Sequence, residues 1–337
     1  MSYAATAPAD TRSRIVGIPI TLRGIQIALG LIWLLDGLLQ FQPYMYTHAF
    51  LADAVEATVP MQPSWAGQPI LWASHLAGRD LTLWNTLFAL TQCAIGLGLI
   101  YRRTVKPALA LSFAWAFVVW SIGEGFGMIL MNMGSPLTGE PGAVVLYAVI
   151  GIVAWPGRRD DGCSALGAGR FGDRGGLIAW SAVWLVAAAI WTEALARPVY
   201  SITGALREAG GDSMPWLGKI QRSLAETLTG DGKSFAIAFL ALSLLIAIGV
   251  WTRWRREALV AGILLSLLYW IFGQSLGGLT TGSATDPNAA PLFVLLAAAL
   301  WPGQIGSVQD GEAGLLGDRL ARRFRRGRAG RVPVGGA

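Results

Sequence analysis

Long apolar stretches recur along the chain, and each is bounded by charged residues, Pro or Gly. Six are near the roughly 20 residues that a helix needs to cross a bilayer, while those at 142–156 and 290–302 are shorter. The pattern predicts an all-α, polytopic transmembrane helical bundle of eight spans. The predicted spans are 24–42, 83–101, 107–128, 142–156, 176–196, 234–251, 258–278 and 290–302.

Two loops carry aromatic segments of their own, SWAGQPILWASHLA at 64–77 and MPWLGKIQRSLAET at 214–227. Each precedes the second span of its half of the chain. Tryptophan favours the headgroup level of a membrane, so Trp65, Trp72 and Trp216 predict amphipathic helices lying in the interface.

The two halves of the chain also repeat each other. WSIGEGFG at 120–127 corresponds to WIFGQSLG at 270–277, an offset of 150 residues, and WPG ends both halves. Four spans per copy return the chain to its starting side, so we expect two four-helix repeats related by an axis along the membrane normal. The predicted units are a cytoplasmic segment 1–23, a first repeat 24–157, a linker 158–175, a second repeat 176–303 and a basic, disordered tail 304–337.

Composition agrees with a membrane protein. Of the 337 residues, 54% are apolar and 14% charged, and the mean hydropathy is +0.51. Soluble domains carry about 25% charged residues, so a water-covered globular fold is excluded, as are disordered and disulfide-stapled chains.

The basic residues orient the predicted spans. With an inside N-terminus, 20 of the 26 Lys and Arg lie on the inner side, seven of them in the tail. This asymmetry follows the positive-inside rule and predicts a multi-pass protein of the cell membrane with both termini cytoplasmic. The net charge of +6 therefore indicates a lipid bilayer and not nucleic acid as the partner. The N-terminal run is expected to be an uncleaved span.

Acids inside spans are costly, so Asp36, Glu124 and Glu193 are candidate functional groups. Gln40 lies one turn after Asp36, and a W-x-x-x-(E/Q) pattern places Trp120 before Glu124 and Trp270 before Gln274. Burial favours the neutral form of a carboxyl group, so Asp36 and Glu124 are predicted to be catalytic proton carriers. We expect a ligand or cofactor site in the outer half of the bundle, built from Gln40, Trp120, Glu193, Trp270 and Gln274. The structural alternative is hydrogen bonding between helices.

The sequence indicates metal or redox sites less clearly than it indicates the embedded acids. A helical stripe of Glu124, Met128 and Met131, followed by Met133, suggests a soft copper site or simple packing. Only two His are present and no paired Cys, so the chain offers no bis-His haem and no iron–sulfur ligand set.

The first span, LRGIQIALGLIWLLDGLLQFQP at 22–43, resembles the opening helix of DoxX/DoxD-like membrane proteins. The chain looks like a tandem duplication of their four-helix unit. The resemblance implies a membrane subunit of a quinone-linked oxidoreductase, with quinone as a possible cofactor and a soluble redox partner or partner subunit. It carries over no catalytic residue. The alternatives are a small-molecule or copper carrier, or a non-catalytic scaffold that recruits enzymes through its Arg-rich tail.

Overall fold

A computed structural model describes residues 20–131, 134–157, 164–196, 202–211 and 213–302. Within these ranges the chain is all-helical, as predicted, with one isolated β-bridge between Pro156 and Gly169. The predicted tail lies outside the described residues, as do most of the N-terminal segment and a third of the linker. The helices of ten or more residues are α1 Leu22–Leu39, α2 Ser64–Arg79, α3 Leu81–Ile100, α4 Val105–Val118, α5 Ala143–Val153, α6 Gly172–Ala196, α7 Ile202–Gly211, α8 Pro215–Thr227, α9 Gly232–Gly249, α10 Arg255–Phe272 and α11 Ala289–Ala299.

Five helices in the described part of the chain are long and apolar enough to cross a membrane, which supports an integral membrane protein. Helices α5 and α11 have 11 residues each and would span only about 16 Å of a roughly 30 Å hydrocarbon core. Helix α10 is long enough but begins with Arg255, Arg256 and Glu257. Eight complete spans therefore stay a prediction. The five are Leu22–Leu39, Leu81–Ile100, Arg102–Gly123, Gly172–Ala196 and Gly232–Gly249.

Helices α1 and α3 form an antiparallel pair at close range. Arg23, at the start of α1, donates to the Leu99 carbonyl at the end of α3 (2.8 Å). Further along, Gly30 packs on the backbone of Gly96, and Gly37 packs on Cys93. A Cβ at any of these glycines would overlap the neighbouring helix, so the small residues permit the close approach.

Helices α6 and α9 form the corresponding pair in the second half. The indole N–H of Trp180 donates to the Ile246 carbonyl, and the Ser181 hydroxyl donates to the Ala247 carbonyl. The short helices α5 and α11 contact each other and join the two halves, with further contacts from α5 to α6 and from α1 to α11. One hydrophobic core accordingly runs through both halves.

The predicted spans 107–128 and 258–278 end earlier than the apolar pattern suggested. Helix α4 continues as a π-helical turn over Val119–Gly123, and α10 ends at Phe272. The residues that follow, 125–128 and 275–278, adopt left-handed backbone angles, with φ between +51° and +70°. A right-handed helix cannot continue through them, so the proposed stripe of Glu124, Met128 and Met131 does not exist.

Glycine and tryptophan explain both reversals. A Cβ at Gly127 would overlap the carbonyl of Pro141, and one at Gly277 would overlap that of Pro287. The same two carbonyls accept hydrogen bonds from the indoles of Trp120 and Trp270, each at 2.8 Å. The chain is thus folded back onto the end of the helix that it has just left.

The aromatic segments at 64–77 and 214–227 are helical, as predicted, in α2 and α8. Trp65, Trp72 and Trp216 are all more than half exposed. Exposed indoles on these helices are compatible with a position at a membrane surface.

Candidate functional site

A cavity of about 440 Å³ lies within the first half of the chain. Helices α1 to α5 supply most of its walls, together with the short helical turns between residues 50 and 58. The last part of the wall is Thr285, Asp286 and Asn288, from the segment of the second half that leads into α11. Its volume falls in the range of small-molecule sites.

Four carboxyl groups line this cavity: the predicted Asp36 and Glu124, and also Glu140 and Asp286. None of the described lining residues is Lys, Arg or His. Because no positive side chain offsets the acids, the cavity has a negative potential wherever they are ionised.

Asp36 is 2% exposed and is held in place across the bundle. The Tyr147 hydroxyl of α5 donates to its Oδ2 at 2.6 Å, and the Tyr147 ring lies 4.4 Å from the ring of Trp33. Asp36 Oδ1 has no hydrogen-bond partner among the described residues. The two oxygens of this buried carboxyl group therefore differ, since only one of them has a hydrogen-bond partner among those residues.

Glu124 directly follows the π-helical turn Val119–Gly123 at the end of α4. Its carboxyl group lies against Gly142, where a side chain would collide with it, and interacts with the backbone N–H of Val144 in the first turn of α5. A helix N-terminus favours a negative group at this position. Glu124 Oε2 lacks a hydrogen-bond partner in the part of the chain that the structure describes.

Glu140 and Asp286 occupy similar positions, each immediately before a proline and the start of a short helix. Glu140 Oε2 accepts from the Thr138 hydroxyl at 2.5 Å and from the Ser135 N–H at 3.2 Å. Asp286 accepts from the Thr285 hydroxyl at 2.9 Å and from the Asn288 N–H at 2.6 Å. Burial raises the pKa of Glu140 to about 7 and raises the pKa of Asp286, against the opposing effect of these hydrogen bonds.

Amides and aromatic rings complete the lining. Gln40 and Gln92 are buried, and neither side-chain oxygen has a partner among the described residues. The rings of Phe88 and Trp115 lie 5.5 Å apart. The indole N–H groups of Trp33 and Trp115 likewise have no acceptor within the described ranges. The lining therefore combines aromatic rings with buried polar atoms that lack a partner in the described part of the chain.

The structure brings three of the seven predicted site residues to the cavity: Asp36, Gln40 and Glu124. Trp120 and Trp270 instead use their indoles to hold the two chain reversals. Gln274 is buried in the second half, away from this lining. Glu193 is exposed on α6 and does not contribute to the site.

Sequence reasoning missed Glu140, Asp286, Tyr147 and Trp115. The sequence did contain an indication of Glu140 and Asp286, because an acid followed by proline precedes the last helix in each half of the chain, at Glu140-Pro141 and at Asp286-Pro287. Tyr147 and Trp115 lie within apolar helices, where no sequence pattern separates a cavity wall from ordinary core.

Two residues of the methionine cluster lie in the described part of the chain. Met128 lines the cavity, Met131 is buried, and Met133 lies outside the described residues. No group of three or more His, Cys, Asp or Glu within the described ranges is placed to hold a metal ion.

Comparison with protein-family models, curated proteins and solved structures finds no match to this chain. Its function is accordingly inferred from the chemistry of its own cavity.

Proposed function

We propose that the chain is a membrane subunit of a quinone-linked oxidoreductase and binds the quinone headgroup in the acidic cavity. The observation that supports this most directly is the combination of carboxyl groups, aromatic rings and indole groups in the lining of one cavity. A bound quinone accepts two electrons and two protons. The resemblance of the first span to DoxX/DoxD-like proteins points to the same class.

The lining residues fit a quinone ring chemically. Aromatic side chains such as Trp115 and Phe88 provide faces for stacking, and the indoles of Trp33 and Trp115 offer donors to a carbonyl oxygen. Asp36 and Glu124 each keep one free carboxyl oxygen and would exchange protons with the ligand. Tyr147 would hold Asp36 in position. Electrons would come from a soluble redox partner or a partner subunit.

The proposal includes eight spans in two repeats, with both termini in the cytoplasm of a cell-membrane protein. Two features at the same offset of 150 residues support the duplication: the left-handed turns at 125–128 and 275–278, and the indole hydrogen bonds of Trp120 and Trp270. In that topology the cavity opens in the outer half of the membrane.

Calorimetric titration of the purified full-length protein with a short-chain benzoquinone tests the function. We expect saturable binding that weakens by up to about tenfold in Asp36→Ala and in Glu124→Ala, since each loses a protonated carboxyl group whose hydrogen bond to a ring carbonyl is worth about 0.5–1.5 kcal/mol. Glu193→Ala is the matched control, because that acid is exposed on α6, and it should bind as the unaltered protein does. The absence of saturable quinone binding would rule the function out.

A second candidate is a carrier for a small organic cation. Four carboxyl groups without a lining Lys, Arg or His among the described residues, beside aromatic rings, also suit an ammonium group. Proteoliposomes would then accumulate a labelled quaternary amine, and Asp36→Asn would abolish the accumulation. Equal uptake into protein-free liposomes would exclude this function.

A further inference from the structure

The lining of the cavity reaches the outside of the helical bundle at Val118. This side chain is 44% exposed, whereas every other described residue of the lining is buried or half-buried. Val118 belongs to Arg102–Gly123, one of the five segments that are long and apolar enough to cross a membrane. The cavity therefore approaches the surface on an apolar flank of the bundle.

The outer face of α4 is continuous with this point. Leu111, Ala114 and Val118 follow one another at intervals of three and four residues, and all three are exposed. Residues at this spacing share one face of a helix. An exposed apolar face on a membrane-crossing helix contacts hydrocarbon. Val118 thus belongs both to the lipid-facing side of α4 and to the cavity wall.

Helices α3 and α4 meet differently at their two ends. Near the turn that joins them, Gly98 lies so close to Ala108 that a Cβ on the glycine would be 2.8 Å from the alanine Cβ. Towards the other end the helices meet through rings, since Phe88 of α3 and Trp115 of α4 lie 5.5 Å apart and both line the cavity. Val118 lies about one helical turn beyond Trp115. The wall at this point consists of side chains, which change rotamer far more readily than packed helices move apart.

We propose that the ligand enters the cavity sideways from the bilayer, between α3 and α4. Its headgroup then occupies the cavity, and its apolar chain leaves through the gap beside Phe88, Trp115 and Val118. The ligand class is accordingly a lipid with a compact ring as its head and a long apolar chain. Such a chain remains in an apolar environment along the whole route and does not have to cross water. This inference rests on the proposed function for the identity of the head, and it adds the chain and its path.

Two quinones that share one head separate the chain from the ring: 2,3,5-trimethyl-1,4-benzoquinone and its 6-decyl derivative. Binding of each radiolabelled compound is measured in lipid nanodiscs that hold the full-length protein, after subtraction of empty nanodiscs. In Val118→Trp we expect the dissociation constant of the decyl compound to rise by about tenfold or more, because the indole fills the gap that the chain needs. The dissociation constant of the ring without a chain should change by less than about threefold.

Leu111→Trp is the matched control. Leu111 lies on the same face of α4 and is also 44% exposed, but it does not line the cavity. Both compounds should bind to this variant as they do to the unaltered protein. Equal affinity of the decyl compound for Val118→Trp and its control would overturn the lateral route and leave quinone binding intact.

A second measurement uses the unaltered protein, so it does not depend on the folding of a variant. A decyl chain that ends in a diazirine marks its own position when the complex is irradiated. Most of the label that an excess of unlabelled quinone displaces should be attached to α3 and α4. Displaceable label mainly on other segments would overturn the route, while no saturable binding of either ring would remove the proposed function together with this inference.

Discussion

At the scale of single residues, the cavity depends on carboxyl groups whose two oxygens have different surroundings. Asp36 uses one oxygen for Tyr147 and leaves the other free, and Glu124 lies against the start of α5 with one oxygen free. The i,i+4 spacing of Asp36 and Gln40 made their shared position predictable. The partner of Asp36 was not, because Tyr147 is distant in sequence and lies in an unbroken apolar helix.

Glu140 makes stability depend on pH. Burial raises its pKa from 4.5 to about 7, so the folded state favours the protonated form. This contribution is complete below about pH 4.5 and is lost as the pH rises through 7, a change of roughly 1–3 kcal/mol. We expect the melting temperature in detergent to fall between pH 5 and pH 8 by several degrees.

Glu140→Gln should reduce this slope, because glutamine keeps a carbonyl for the Thr138 hydroxyl but does not ionise. Asp286, whose pKa burial also raises, should maintain part of the slope. Glu226→Gln, at an exposed position on α8, is the matched control and should retain the slope. An unchanged pH dependence in Glu140→Gln would show that another group is responsible.

At the scale of elements, the two left-handed turns decide where the cavity wall runs. The apolar pattern predicted that both preceding helices continue through these turns, because Phe126, Met128 and Leu276 are residues that apolar helices commonly contain. The reversal depends on contacts with Pro141 and Pro287, which lie 21 and 17 residues beyond the tryptophans that bind their carbonyls. Local sequence patterns do not contain that information.

Gly127→Ala tests the first turn. Its φ is +60°, and a Cβ there would overlap the Pro141 carbonyl, so both backbone strain and a collision are expected. We predict a loss of about 2–4 kcal/mol of stability and weaker quinone binding. Gly211→Ala, at the end of α7 with open space around it, should leave the melting temperature within about two degrees of the unaltered protein. Similar melting temperatures for the two variants would contradict this account of the turn.

At the scale of the whole molecule, the two halves share one site. The cavity lies in the first half, but Thr285, Asp286 and Asn288 of the second half close part of its wall. Gly139 packs directly on the Asn288 side chain, where a Cβ would collide with it. A repeat in the sequence predicts two similar units and does not predict that one completes the cavity of the other.

Asp286→Asn should therefore alter ligand selection in the first half. An ionised Asp286 repels an anionic ligand, so at a pH above its raised pKa the variant should bind 1,4-naphthoquinone-2-sulfonate about 3–30-fold more tightly. Affinity for uncharged 1,4-naphthoquinone should change little. Asp231→Asn, an exposed residue before α9, is the matched control and should leave the ratio of the two affinities unchanged. The same ratio in Asp286→Asn and its control would place Asp286 outside the site.

Sequence patterns alone predicted an all-helical membrane protein and identified Asp36, Gln40 and Glu124 as candidate functional groups. Those conclusions depend on burial cost and helix periodicity, which are local properties. The fold was needed to show that Trp120 and Trp270 hold turns, that Glu193 is exposed, and that Glu140, Tyr147 and Asp286 line the cavity. The physical reason is that these roles follow from contacts between distant segments, formed when α5 and α11 bring the two halves together.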